Sequence, residues 1–282
     1  MILESEVTII IPTLATSFTK TALEFCLESL NGFQGQVIVA VNGGQLIPDD
    51  HIYYPITKWF RTEKQGQCHA VNEAAELVTT PWMIVMNDDM VVAPNSIERL
   101  LWAVDNFGLL VASPNLVEPK KGAPPFIEQF CGGIGTEGTK PDFNKEKWLN
   151  FAANYKEHPN PRLSLENGLN LPFMIRKDVW DTIGGYDEAY DPWGSCCDTD
   201  IQTRIMLAGI TPKRFRGSLF YHFGSTSGTF NADKESFRHT NWRYYESKFG
   251  FPSFKNPLVW YKPDIPEYLL KFHPPYRDQY AK

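Results

Sequence analysis

The chain predicts an α/β fold built on a mostly parallel sheet with helices on its faces, and three observations carry that prediction. Short β-branched runs at 7–11, 36–41 and 82–86 alternate with helically spaced segments at 18–30, 67–78 and 94–107, the rhythm of strand–helix–strand units. Residues with chemistry to offer (Pro12-Thr13, Asn42-Gly43-Gly44, Asn87-Asp88-Asp89) fall directly after those strands, where ligands of such sheets sit. The 282 residues are 43% hydrophobic and 14% aromatic, ample for a buried core.

Each element has its own reason. Val7-Thr8-Ile9-Ile10-Ile11 reads as a buried first strand stopped by Pro12. Leu23, Leu27 and Leu30 give 18–30 a helical stripe, and 36–41 is a second strand closed by Asn42-Gly43-Gly44. A weaker strand is expected at 57–62, an Ala- and Glu-rich helix at 67–78, and a fourth strand at 82–86. The helix at 94–107 has Pro94 near its first turn, and 109–112 is again a strand. From 118 to 170 the period fades, a stretch too long for a structureless loop and expected to cover something. A strand at 171–176, a helix at 177–183, Gly184-Gly185, a helix at 199–208, a short strand before His222 and a helix at 232–248 follow. The last residues, 251–282, are rich in proline and aromatics. The expected organisation is one domain over 1–230, with a nucleotide-binding half at 1–113 and an acceptor and catalytic half at 114–230, and a helical and extended appendage at 231–282.

The formal charge of -6 argues against a nucleic-acid binder, which carries a basic stripe. No start-transfer signal and no membrane-spanning apolar run is evident. The cysteines are Cys26, Cys68, Cys131, Cys196 and Cys197, an odd number with one adjacent pair, which suits neither a disulfide framework nor a zinc knuckle. With no Asn-x-Ser/Thr sequon, a reducing, cytoplasmic setting is expected, with peripheral membrane attachment as a further option.

The chemistry begins at Trp82-Met83-Ile84-Val85-Met86-Asn87-Asp88-Asp89, a hydrophobic strand running into carboxylates. Such carboxylates lose hydration unless something cationic meets them, and a divalent metal holding a phosphate-bearing ligand is an economical partner. An ordinary acidic turn competes with that reading. Asp89 is the expected ligand of Mn²⁺ or Mg²⁺, with Asn87 or Asp88 toward the ribose or a metal-bound water. Asp198 lies at a helix start, as an N-cap or as a general base for an acceptor hydroxyl. Asp200 and Arg204 are spaced for an internal ion pair. His222, followed by Gly224-Ser225-Thr226-Ser227-Gly228, is either a packing residue or a member of the cation shell beside Asp89. Gly133-Ile134-Gly135-Thr136-Glu137-Gly138 has the spacing of a dinucleotide fingerprint without its strand–helix context, and Lys120-Lys121 reads as a solvated pair.

Taken in order, these pieces resemble family 2 glycosyltransferases, of the Rossmann-like GT-A fold, over roughly residues 5 to 228. The likeness rests on the first strand through Thr13, the Asn42 turn, and Lys64-Gln65-Gly66-Gln67-Cys68-His69-Ala70-Val71-Asn72. It continues through Asn87-Asp88-Asp89, Pro172-Phe173-Met174-Ile175-Arg176, Gly184-Gly185-Tyr186-Asp187-Glu188, Asp198-Thr199-Asp200 with Arg204, and His222. The resemblance implies inverting, metal-dependent transfer of a hexosyl or deoxyhexosyl group from a nucleotide-sugar donor to a saccharide, glycolipid or protein-linked acceptor. By it, Pro12, Thr13 and Asn42 line the base and ribose pocket with Gly66 and Asn72 nearby, Asp89 and His222 hold the metal, and Asp198 is the base. Asn87 at the first position of the metal motif and Cys197, where relatives usually carry Glu, depart from the pattern, and the division of labour between Asp198 and Asp200 stays open.

A nucleotidyltransferase is the rival enzyme, but Ile11-Pro12-Thr13-Leu14-Ala15 lacks its Gly-rich, basic signature. A non-catalytic carbohydrate-binding protein on the same fold is the rival of another class. The aromatic tail (Trp260, Tyr261, Tyr268, Phe272, Tyr276, Tyr280) is open to three roles: packing on the domain or on a second copy in a homodimer, stacking on acceptor sugars, or touching a membrane surface.

Overall fold

A computed structural model describes residues 1–15, 17–42, 58–118, 143–156, 160–169, 171–192, 194–223 and 232–252, with backbone alone at 17–20 and 232–238. The Gly43-Gly44 turn, Lys120-Lys121, the Gly133–Gly138 stretch, Cys131, the 224–228 loop and the aromatic tail, with any homodimer contact it makes, lie outside the described residues.

The strands are β1 (Val7–Thr13), β2 (Gln36–Val41), β3 (Lys58–Arg61), β4 (Trp82–Val85), β5 (Met90–Val92), β6 (Val111–Val117), β7 (Leu165–Asn167), β8 (Phe173–Arg176) and β9 (Lys213–His222). The helices are α1 (Ser17–Ser29), α2 (Gln67–Glu76), α3 (Ser96–Phe107), α4 (Lys145–Asn154), α5 (Lys177–Ile183), α6 (Cys197–Leu207) and α7 (Ala232–Phe249). All strands join one sheet in the order β3-β2-β1-β4-β8-β6-β9-β5, with β7 also on β9.

The sheet is mixed rather than mostly parallel. β3, β2, β1 and β4 run parallel. From there β8 pairs antiparallel with both β4 and β6, β6 runs parallel to β9, and β5 and β7 pair antiparallel with β9. The helix-linked rhythm of the first 113 residues correctly implied the parallel half. The second half is assembled from short strands that no periodicity announces.

Pro12 does not end β1; it lies within it, opposite Ala40 of β2. The strand tolerates it because of where its missing N–H would point. The Ile10 carbonyl accepts Met86 N on the β4 side, and Pro12, two residues on, faces that same side. The β1–β4 pairing ends at Ile10 opposite Val85, so no ladder bond is lost.

Strand alternation splits the core between the two faces. Ile10, Ile38, Ala40, Met83, Val85 and Ile175 pack under α2, α5, α6 and α7. Ile9, Ile11, Val37, Val39, Ile84 and Met174 pack under α1 and α3. β1 is buried along its whole length, as expected of a strand covered on both faces. Fully burying a Leu or Ile side chain contributes roughly 1.5–3 kcal/mol, so these two layers supply the bulk of the driving force. A third cluster gathers Val91, Val117, Trp148, Tyr221 and Phe223 around α4, a helix that the unperiodic 118–170 stretch did not announce. Tyr245 and Phe249 of α7, with Phe251, are buried in the α2-side core.

Candidate active site

His222 is the last residue of β9, and the sheet sets its surroundings. On one side β6 runs parallel, with Val117 level with Tyr221, so Glu118 follows beside His222. On the other side β5 runs antiparallel with Met90 opposite His222, which brings Asp89 alongside. The side chains meet accordingly: His222 Nδ1 is 2.7 Å from Glu118 Oε1, and His222 Nε2 is 3.4 Å from Asp89 Oδ2. The Asp89 carbonyl also accepts the Phe223 N–H at 3.0 Å. Burial opposes a charge on His222, but the two carboxylates outweigh it and raise the imidazole to about 10.

Asp88 turns the other way. Its Oδ2 accepts the Thr13 hydroxyl at 2.5 Å, and that same hydroxyl oxygen accepts Ala15 N–H at 3.0 Å. Burial, with the adjacent Asp89 charge, lifts the Asp88 carboxyl to about 7 against the pull of Thr13 and His222. The pair ties the end of β1 to the turn after β4. Asn42 N–H donates to the Thr13 carbonyl at 2.9 Å, and Asn42 is buried. Pro12, Thr13, Asn42 and Asp88 are thus brought together at one end of the sheet. Asn87 Oδ1 accepts from Gln67 Nε2 at 3.2 Å.

Gly66 and Asn72 are engaged differently. Asp191 caps α2 from a distant segment, its two oxygens accepting Cys68 N–H at 3.0 Å and His69 N–H at 2.9 Å. The anion-favouring start of that helix is therefore filled by the protein's own carboxylate. Gly66 has φ +150°, and a Cβ there would lie 2.1 Å from Asp191 Cγ. Asn72 spends its amide on Tyr186, donating to the carbonyl and accepting the N–H, both at 2.9 Å, and donating also to Glu188. Gly66 leaves room for the Asp191 cap, and Asn72 fixes α2 to Tyr186.

Asp198 and Asp200 separate cleanly. Asp200 is wholly buried and meets Arg204 Nε at 2.5 Å, Lys248 Nζ at 2.6 Å and Tyr190 Oη at 3.1 Å. Arg204 also donates to the Ile183 carbonyl at 2.6 Å, as part of a network locking α6 to α5 and α7. Asp198, in the first turn of α6, is open to solvent. It accepts the Tyr186 hydroxyl at 2.8 Å. Although solvent reaches part of it, loss of hydration to the protein packed around Asp198 raises its carboxyl above the ordinary aspartate range, against the pull of Tyr186, Cys197 and His222.

A cleft of about 300 Å³ brings together Asn87, Asp198 and His222, with Glu118, Thr199 and Gln202 on the same polar side; Pro12, Thr13, Asn42, Gly66, Asn72, Asp88 and Asp89 are not in its lining. Met90, Leu116, Leu169, Leu171 and Phe173 form its apolar wall. Glu118, Tyr186, Asp191 and Gln202 had not been singled out from the sequence. Glu118 directly follows β6, but the sequence shows that strand only as far as 112, so the strand-end rule that served Asn87 does not reach it.

Among the described residues no group of three or more His, Cys, Asp or Glu side chains is arranged to hold a cation. Asp89 Oδ2 and His222 Nε2 are nonetheless two suitable donors 3.4 Å apart. Adjacent donors at about 2.1 Å from an octahedral ion are about 3 Å from each other. A hard divalent ion that takes its remaining oxygens from phosphate and water fits this pair.

Residues 8–126 match the profile of glycosyl transferase family 2. No curated protein matches the chain in sequence. In structure the chain is similar to GalNAc-T7 solved with UDP, GalNAc and Mn²⁺, with a TM-score of 0.57 at 13% identity over 98% of this chain and 56% of that one. It is also similar to residues 1–349 of TarS from S. aureus, with a TM-score of 0.51 at 13% identity over 92% of this chain and 75% of that one. The same TarS segment in complex with UDP-GlcNAc gives 0.52 at 12% identity, over 91% and 76%. At these identities the likeness shows the fold, that of GT-A glycosyltransferases. The chain spans just over half the length of GalNAc-T7. No helix among the described residues is long and apolar enough to cross a membrane.

Proposed function

We propose metal-dependent, inverting transfer of a sugar from a nucleotide-sugar donor to a hydroxyl acceptor, a reading supported by the match of residues 8–126 to glycosyl transferase family 2. The observation that carries this reading is the single cleft shared by Asp198, Asn87 and His222, with Asp89 beside His222. Those residues come from three distant stretches of chain, and they separate an anion-receiving end from a proton-receiving one.

The nucleoside sits by the Pro12–Thr13 end of β1 with Asn42, and the diphosphate faces the Asp89–His222 pair. A divalent ion, Mn²⁺ or Mg²⁺, held there would supply Lewis-acid stabilisation of the departing diphosphate charge. Its protein donors are Asp89 and His222. UDP stands with GalNAc and Mn²⁺ in the GalNAc-T7 structure, and UDP-GlcNAc in that of TarS, which favours a uridine nucleotide as the first donor to try.

Asp198 takes the acceptor proton. A lone pair of the acceptor oxygen forms the bond to the anomeric carbon, the O–H bonding pair stays on that oxygen as its proton passes to the carboxylate, and the electrons of the broken C–O bond leave with the diphosphate. The bond from the anomeric carbon to the diphosphate oxygen breaks on the opposite face, so the anomeric configuration inverts. Asp200 is unsuited to this role, being buried and already held by Arg204, Lys248 and Tyr190. The apolar wall of Leu169, Leu171 and Phe173 faces the acceptor side, which suits the carbon face of a sugar ring.

The 1–113 half binds donor and the 114–230 half binds acceptor under this reading, with the 231–282 segment bracing α6 through Lys248. Turnover of a panel of nucleotide sugars, followed by proton NMR of the released anomer, tests it. Donor cleavage that survives chelation would overturn the metal dependence. Absence of cleavage with every donor, alongside intact sugar binding, would favour a non-catalytic binder; pyrophosphate release from a nucleoside triphosphate would favour a nucleotidyltransferase.

A further inference from the structure

We propose that Glu118 is a positioning residue that fixes the ring orientation and tautomer of His222, aiming Nε2 at the diphosphate end of the cleft. The inference rests on the reading above that Asp89 and His222 hold a divalent cation.

Three observations carry it. First, the two carboxylates stand on opposite nitrogens of one imidazole: Glu118 Oε1 lies 2.7 Å from Nδ1, and Asp89 Oδ2 lies 3.4 Å from Nε2. The shorter contact is a full hydrogen bond, which places a proton on Nδ1; the longer one is beyond a good hydrogen bond. With Nδ1 held by Glu118, Nε2 facing Asp89 is the nitrogen a cation can take, in exchange for the proton the metal-free ring carries there. Second, the arrangement is built into the sheet. Glu118 follows β6 and His222 ends β9, and the parallel register that sets Val117 level with Tyr221 sets the next pair side by side. Third, Glu118 and His222 line the same cleft. Glu118 cannot join Asp89 around one ion while the ring stands between them, so it acts through His222. A carboxylate behind a ligating histidine orients the ring and raises its basicity, and losing such a group typically weakens metal binding about 10–100-fold.

The test uses the full chain, with Mn²⁺ alone as the probe. Free Mn²⁺ is followed by electron paramagnetic resonance, and the nitrogen modulation of bound Mn²⁺ reports imidazole ligation. Glu118→Ala should bind Mn²⁺ about 10–100-fold more weakly and lose most of the nitrogen modulation. Glu118→Gln, whose amide carbonyl still accepts from Nδ1, should keep most of both. If Glu118→Ala does not fold, Glu118→Asp replaces it: the shortened carboxylate keeps the charge but not the reach, and should behave like the alanine variant. Wild-type affinity and modulation in Glu118→Ala or Glu118→Asp would overturn the proposal. So would a Glu118→Gln variant as weak as the alanine one, which would make Glu118 a direct ligand. If the wild-type chain binds no Mn²⁺, the cation reading itself falls and takes this proposal with it.

Discussion

The Tyr186 hydroxyl donates to Asp198 Oδ1 at 2.8 Å, so the proposed base is aimed by an aromatic side chain that is itself fully buried. Tyr186 reaches that position because Asn72 clamps its backbone N–H and C=O. A residue of the second helix thus helps orient a carboxylate more than a hundred positions away.

Asp198→Asn should lower kcat by about 10²–10⁴, the usual contribution of a general base, while leaving donor affinity near that of the wild type. Steady-state turnover paired with calorimetric titration of the nucleotide separates the two. A variant turning over at the wild-type rate would remove Asp198 from the mechanism.

Tyr186→Phe should shift the pH profile. The base works deprotonated, so activity falls as pH drops through its pKa, and crowding places that limb above the ordinary aspartate value. The hydroxyl stabilises the charged form, which lowers the pKa. Removing it raises the pKa further, so the acid limb of kcat/KM should move to higher pH. A limb that stays put or moves lower would contradict the contact.

Lys248 bridges Asp187 at 2.8 Å and Asp200 at 2.6 Å. Lys248→Ala should cost about 1.5–3 kcal/mol, the scale of hydrogen bonds to charged groups, read from urea unfolding. Arg204 and Tyr190 remain on Asp200, which keeps the loss below that of an unpaired buried charge.

The same bridge carries a pH signature. Burial tends to raise the Asp187 carboxyl, but Lys248, Ala189 N–H and Tyr244 outweigh it and depress the value below its ordinary one near 3.8. A depressed folded-state pKa gives stability that is complete above the unfolded value and lost as pH falls through the folded one. The wild type should therefore lose more stability than Lys248→Ala between about pH 5 and pH 2, measured by unfolding midpoints across that range.

Gly66→Ala should destabilise by at least ~1–3 kcal/mol. Its Cβ would sit on the Asp191 carboxylate, and φ +150° suits no L side chain. Asp191→Ala, which removes the cap without crowding, should cost about 1 kcal/mol. Thermal melts of the two variants should rank them in that order.

Much of the site was legible because strands announce their own ends. Thr13, Asn42, Asn87 and His222 each follow or close a run of buried β-branched or aromatic residues, and the sheet gathers them. The Asp200–Arg204 pair was legible because four residues on a helix is a fixed geometry. What could not be read was set by long-range pairing. β5 and β7 are three residues each, too short to show a period. Nothing near Asp191 says that it caps α2, 123 positions away from Cys68, and Glu118 gains meaning only once β6 lies beside β9. The inward turn of Asp88 toward Thr13 likewise depends on β1 and β4 being neighbours.

Because Asp89, His222 and Glu118 are aligned by ladder hydrogen bonds on adjoining strands, their spacing belongs to the sheet. A one-residue slip of β9 against either neighbour would put the Tyr221 ring, now wholly inside the core, where the imidazole stands. Evolution could vary the surrounding loops without disturbing that spacing. It could not retune this trio by small steps, since any intermediate alignment would unseat the hydrophobic layer beneath it.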